Sequence, residues 1–404
     1  MSKNNIVLVG LIYDSNLGDQ AIFQCTKRML ADCLQDCGAS DWEVRELDMT
    51  GRMGEKGNDT VFKQLPFPLC RKILRGIGKV FHIKRLRDAM ASYEISRATS
   101  IQCGRFCDED TKAILFAGGG IIKYKYQYFH EYLRAIIHYA EAHGIPVMIS
   151  AAGIEGYDEG NRNCLRLKAA LISPCVKCIT TRDDIWTLNE LYCCGNTSIQ
   201  TAQVADPACS MSRYFPRQKL KRERIIGLGV VREGLFTDND IDFNKQNMLR
   251  FWNALYQQIE KAGYRCRLFS TGLMEDQQFA LDLLRYMGID DREEDVLAAR
   301  PTSIEMLADT ITSCSGVITG RLHASVIAYA YGVPSVGLVW NEKQVMFGKA
   351  IGCEKRFFRI ETFEPTRIVQ ELLAAMEEGY DESAREAYRS TTAEEIRRFL
   401  KNVC

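Results

Sequence analysis

Short apolar runs alternate along the chain with longer stretches in which apolar residues recur every three or four positions. The runs are NIVLVGLI (5–12), AILFAGGG (113–120), IPVMISAAG (145–153), IIGLGVV (225–231), YRCRLFS (264–270), GVITG (316–320) and PSVGLVW (334–340). Each predicts a strand, with AILFAGGG running from strand into turn and CVKCITTRDD (175–184) from strand into helix. The intervening stretches predict helices over Gln20–Cys37, 128–144, 246–262 and 276–287, one beginning at 321, and a last one from Asp381 to Asn402. In the first of these, Ala21, Ile22, Cys25, Met29, Leu30, Cys33 and Leu34 share one face. Strands alternating with amphipathic helices make an α/β protein with a parallel sheet covered by helices.

The alternation is interrupted once. SRYFPRQKLKRER (212–224) is basic, carries a proline, and reads as a linker, after which the pattern restarts. The expected division is a first domain over 1–212 with a basic insertion near 60–110, a second over 222–380, and a C-terminal helix over 381–404. Two Rossmann-like domains facing each other across a cleft are the most economical architecture, and 404 residues suit two cores better than one.

Composition narrows the function. Lysine plus arginine (52) equals aspartate plus glutamate (52), so no net field attracts nucleic acid, and an anion site must be local. The opening MSKNNIVLVGLIYD reads as a first strand rather than a signal peptide, and the expected location is cytoplasmic. The uncharged stretch 323–341 contains Gly332, Pro334 and Gly337 and fits helix, turn and strand better than a membrane span. RKILRGIGKVFHIKRLR (71–87) carries seven basic residues and no acid, interleaved with apolar ones. It suits peripheral contact with anionic lipid, a solvated insertion, or an acceptor groove. Among the 16 cysteines, Cys175, Cys178, Cys193 and Cys194 could be read as zinc ligands, but the adjacent second pair fits a zinc knuckle poorly. No metal or cofactor is expected.

Five loops at strand ends carry the candidate chemistry, where ligands collect in open α/β sheets. In YDSNLGDQAI (13–22), Gly18 permits a tight turn; Asp19 could cap the following helix, or Asn16 and Asp19 could meet a sugar hydroxyl. AGGGIIK (117–123) leaves the backbone of Gly119 and Gly120 open to a ligand, though close packing explains the glycines equally. TTRDD (180–184) sets Arg182 at a strand top, to bind a ligand or pair with a carboxylate. GLGVVREG (227–234) places Arg232 after the second half's first strand. TGRLHA (319–324) sets Arg321 and His323 where a strand hands over to a helix, so that a guanidinium fork, a positive helix end and an imidazole meet at one point. That combination favours an anion site.

The ordered set NLGDQAI, AGGGIIK, TTRDD, ADPA, GVVRE and TGRLHASVIAYAYGVPSVGL resembles the polysaccharide pyruvyl transferase family from about residue 6 to about 350. The resemblance implies a GT-B-like fold and transfer of pyruvate from phosphoenolpyruvate, as a ketal, to a sugar of a cell-surface polysaccharide or its lipid-linked precursor. It implies that Arg321 and His323 bind or act on the donor, with Arg232 as a further donor-binding arginine. Asp19 is then the candidate base. The alternatives are a GT-B glycosyltransferase using a nucleotide sugar and a non-catalytic sugar-binding homologue. Nucleotide-sugar enzymes commonly hold the ribose with an acid in the helix after the donor-phosphate turn, and LHASVIAYAYG has none before Glu342.

Overall fold

The computed structural model describes residues 3–54, 57–66, 84–125, 127–217, 224–239, 241–289 and 296–404. Most of the basic stretch 71–87 lies outside them. Contacts divide the chain into two units: the first holds Met1–Tyr13, Thr26–Val204 and Thr391–Cys404, and the second Asp14–Cys25 and Ala205–Ser390. Two short segments therefore depart from a simple division near residue 212.

In chain order, the elements through the first half are β1 (Asn5–Gly10), α1 (Leu17–Asp36), β2 (Glu43–Asp48), α2 (Lys84–Phe106), β3 (Thr111–Ile122), α3 (Phe129–Ala142), β4 (Val147–Ile154), α4 (Arg162–Leu171), β5 (Val176–Thr181) and β6 (Gln200–Gln203). The first unit's sheet runs β2-β1-β3-β4-β5-β6, every pair parallel. All six residues of β1 are buried, as expected of a strand flanked on both sides and covered on both faces. β2 (EVRELD) is exposed or half-buried over its first four residues, which is why no apolar run announced it.

The second half continues with β7 (Ile225–Gly229), α5 (Lys245–Lys261), β8 (Arg265–Phe269), α6 (Met274–Met287), α7 (Ile304–Thr312), β9 (Gly316–Thr319), α8 (Leu322–Ala330), β10 (Ser335–Val339), α9 (Glu342–Ala350), β11 (Phe357–Arg359), α10 (Pro365–Glu378) and α11 (Glu382–Leu400). The sheet β8-β7-β9-β10-β11 is again all parallel. Its first strand sits second in the order, as in the first unit, so the winding reverses between β7 and β9. Such a switch point is where doubly wound sheets bind ligands. The helices follow their sequence logic. α5 starts where Asn244 accepts the Asn247 amide (3.1 Å) and buries Met248, Trp252, Leu255 and Ile259 at helical spacing. Each such apolar side chain contributes roughly 1.5–3 kcal/mol on full burial. The uncharged stretch after His323 is indeed α8, a turn and β10. Among the described residues no helix is long and apolar enough to cross a membrane.

One expectation needs correcting. The glycine run at 118–120 forms no turn after β3; the strand continues to Ile122, with a register irregularity between Gly119 and Ile122. Gly119 holds a φ of +87°, the bulge conformation that a residue with a side chain resists. The cysteines flagged for zinc lie apart in character. Cys175, Cys178 and Cys193 are buried and Cys194 is exposed. Burial pushes the Cys178 thiol up to about 12 and the Cys193 thiol up to about 11, which disfavours the thiolate a metal needs.

Candidate functional site

The switch point of the second unit is built around the turn from β9 into α8. Thr319 is fully buried; its hydroxyl donates to the Gly229 carbonyl (3.2 Å) and accepts the Arg321 amide (3.0 Å). The Gly320 carbonyl accepts from Trp340 Nε1 (2.6 Å) and Gln344 Nε2 (3.2 Å). A β-carbon at Gly320 would come within 2.8 Å of Val231, so the turn packs directly on the loop that follows β7. Arg321 is the residue before α8, and no side chain caps the helix. Its start therefore keeps the positive end that suits an anion.

Arg321 does not extend freely. Its Nε and Nη2 donate to the two carboxylate oxygens of Asp276, at 2.8 and 2.7 Å. Asp276 is fully buried and also accepts the Arg232 amide at 2.8 Å. This aspartate, in the first turn of α6, joins the loops after β7 and β9 by one carboxylate. Two planar N–H···O bonds fix the guanidinium plane, while Nη1 has no hydrogen-bond partner among the described residues. The Arg232 side chain goes elsewhere: it pairs with Asp238 and reaches the Glu233 carbonyl (3.2 Å). Its contribution at the switch point is its main chain.

His323 occupies the first turn of α8. Its Nε2 lies 3.8 Å from Oδ2 of Asp206, too long for a hydrogen bond but close enough for an ion pair when the ring is protonated. Asp206 is buried, and its other oxygen accepts the Ala208 amide (2.9 Å). The opposite edge of the imidazole rests on the backbone at Gly18. A β-carbon there would fall 2.0 Å from Nδ1 and 2.3 Å from Cγ, far inside contact distance. The glycine of NLGDQ is needed for this close approach. The Leu17 amide meets the Thr271 carbonyl (3.4 Å), and Gly272, at φ +105°, packs against Leu17 and the Ser15 carbonyl.

Asp19 lies in the first turn of α1. Asn16 accepts the Gly18 amide (3.3 Å), and its own side-chain amide donates to Asp19 (2.7 Å). Asn16, Gly18, Asp19, Arg321 and His323 thus belong to one unit. Arg182, Gly119 and Gly120 belong to the other. There Arg182 is buried with its guanidinium against Gly153, and its neighbour Asp183 accepts the Ile154 amide (3.0 Å) and the Thr181 hydroxyl (2.9 Å). Sequence reasoning missed Asp276 and did not single out Asp206. Asp206 precedes a proline in ADPA, where an acid caps the following turn; Asp276 is an acid in a helix's first turn, a common placement that gave no sign of Arg321.

A family model for polysaccharide pyruvyl transferases matches residues 16–342, most of the chain, including Gly18, Asp206, Asp276, Arg321 and His323. The chain belongs to that family. No curated protein matches it in sequence. Among solved structures it is similar to the UDP-GlcNAc 2-epimerase of Methanocaldococcus jannaschii, with a TM-score of 0.56 and 10% identity over 99% of this chain and 100% of that one. It is also similar to the UDP-GlcNAc 2-epimerase of Neisseria meningitidis, with a TM-score of 0.54 and 11% identity over 99% of each chain. A trehalose-6-phosphate synthase matches with a TM-score of 0.53 and 9% identity over 100% and 99%. At such identities these likenesses establish the GT-B-like α/β fold alone. The family region begins at Asn16 and so includes the Gly18 contact with His323. Gly18→Ala is expected to displace the imidazole and to cost at least tenfold in the family's transfer reaction, with the second unit still folded. Turnover measured beside a thermal melt checks this, and unchanged turnover would mean that the ring position is irrelevant.

Proposed function

We propose that the protein transfers pyruvate from phosphoenolpyruvate to two hydroxyls of a saccharide, forming a ketal and releasing phosphate. The observation that carries this reading is His323, held between the Gly18 backbone and the buried Asp206 carboxylate in the first turn of α8. Phosphoenolpyruvate is a dianion or trianion bearing a carboxylate and a phosphate. The Arg321 guanidinium, set in plane by Asp276, and the uncapped start of α8 suit those groups. The enol carbon must gain a proton before C2 can accept a sugar oxygen, and an imidazole is the side chain suited to give it near neutral pH. Asp206 would balance the charge of the imidazolium before the transfer. Attack of one hydroxyl at C2, loss of phosphate and attack of the second hydroxyl complete the ketal, with two hydroxyl protons released. Asp19, bonded to Asn16, is the group proposed to orient the acceptor or take one of these protons.

The rival donor is a nucleotide sugar. α8 has no acid to hold a ribose, and Glu342 is engaged by both Nη atoms of Arg359 (2.7 and 2.8 Å). The acceptor is proposed to be a sugar of a cell-surface polysaccharide or its lipid-linked precursor. Thermal-shift measurements separate the readings. Phosphoenolpyruvate at about 100 times its Kd should add about 2.7 kcal/mol to stability. Stabilisation by UDP-sugars instead would favour a glycosyltransferase, and silence from both a non-catalytic homologue.

A further inference from the structure

We propose that the first unit carries a separate groove that binds a phosphate-bearing saccharide. α3 packs between α2 and α4, and the three helices enclose a groove of about 740 Å³. Its polar lining includes Asp88, Ser92 and Tyr93 of α2, Arg134 of α3, and Arg162 and Arg166 of α4. That volume exceeds a phosphate group severalfold and is in the range of small-molecule sites.

The groove is built from below by one buried carboxylate. Glu131 is 2% exposed and accepts from Arg134 Nε (3.1 Å) and Nη2 (2.7 Å), from Arg166 Nη1 (2.7 Å) and from the Ser92 hydroxyl (2.8 Å). Burial alone would push the Glu131 carboxyl up, but the hydrogen bonds from Arg134 and Ser92 and the two guanidinium charges bring it below its ordinary value. It therefore stays ionised and holds two arginines with donors to spare, Nη1 on one and Nη2 on the other. Glu131 and Asp88 balance these two held guanidiniums at the groove. Arg162, exposed in the first turn of α4, adds another and forms no ion pair among the described residues. Three planar forks at one opening match the several oxygens of a phosphate or pyrophosphate.

The remaining lining suits the rest of such a ligand. Tyr93 is 52% exposed beside these charges, an aromatic face on which a sugar ring can lie. Asp88 offers carboxylate oxygen to sugar hydroxyls, while the Ser92 hydroxyl is held by Glu131 and Arg134. The starts of α3 and α4 follow β3 and β4, so the groove opens at the carboxyl edge of the sheet. A role in holding the acceptor would rest on the pyruvyl transfer proposed above; the binding itself does not.

Calorimetry on the full chain with N-acetylglucosamine 1-phosphate, pyrophosphate and N-acetylglucosamine tests it. The sugar phosphate should bind most tightly. Arg162→Glu should weaken both phosphates at least tenfold, and Tyr93→Ala should weaken the sugar phosphate but not pyrophosphate. Phosphoenolpyruvate affinity should be unchanged in both variants, whose substituted side chains are exposed. No binding of the sugar phosphate, or binding indifferent to Arg162→Glu, overturns the groove. Pyrophosphate binding as tightly as the sugar phosphate, with no effect of Tyr93→Ala, overturns its saccharide specificity. Loss of phosphoenolpyruvate binding with the groove's behaviour intact would count against the donor reading alone.

Discussion

His323→Ala is expected to lower pyruvyl transfer by 10²- to 10⁴-fold, about what removal of a general acid costs, while leaving the melting curve of the protein nearly unchanged. The side chain lies at the mouth of the β9–α8 turn rather than within the apolar core. Its truncation removes an imidazole from the Gly18 backbone and leaves a charge partner, Asp206, that is hydrogen-bonded to its own turn. Phosphate release from phosphoenolpyruvate, followed together with ketal formation by nuclear magnetic resonance, measures the effect directly. His323→Gln is the sharper companion: it keeps a polar side chain of similar reach but has no proton to give near pH 7. Full transfer by either variant would remove the imidazole from the reaction.

The second large effect concerns Arg321, and here the structure changes what a simple substitution would report. Removing the guanidinium leaves the Asp276 carboxylate buried with only the Arg232 amide. Breaking a buried pair in this way costs about 3–5 kcal/mol. Arg321→Ala should therefore unfold the second unit at a markedly lower denaturant concentration, and its loss of phosphoenolpyruvate affinity would mix two causes. Arg321→Met combined with Asp276→Leu removes both charges and should recover most of that stability, because apolar replacements of buried pairs are often neutral. It should not recover donor binding. If the double variant binds phosphoenolpyruvate like the native protein, Arg321 is a structural partner of Asp276 and nothing more.

The fold was readable wherever burial is continuous. β1, β7, β9 and β10 are uncharged runs because neighbours and helices cover them on both sides. The segments that escaped, such as β2 and the two short edge strands β6 and β11, are polar or brief, so no run marks them. The glycines of AGGG misled because a bulge and a turn draw on the same backbone freedom. At the site, Arg321 and His323 were visible because polar residues at a strand–helix junction stand out from the apolar run that follows. Asp276 was invisible because its partnership spans 45 positions, and nothing local distinguishes it from an ordinary acid at a helix start. Arg232 shows the opposite failure: its position was informative, but its side chain turned to Asp238 while its amide met the buried carboxylate.

The dispersed make-up of the first unit bears on how the chain is made. Thr391–Cys404 supplies that unit with Ile396, Phe399 and Leu400, each at most 2% exposed, and with Arg397 bonded to Asp36 (2.7 Å). On the ribosome these residues emerge only after the whole of the second unit has been synthesised. The unit that starts first cannot be the one that finishes first. Its core must wait, partly open, for the helix that closes it, and truncation before Thr391 would damage the amino-terminal half of the molecule.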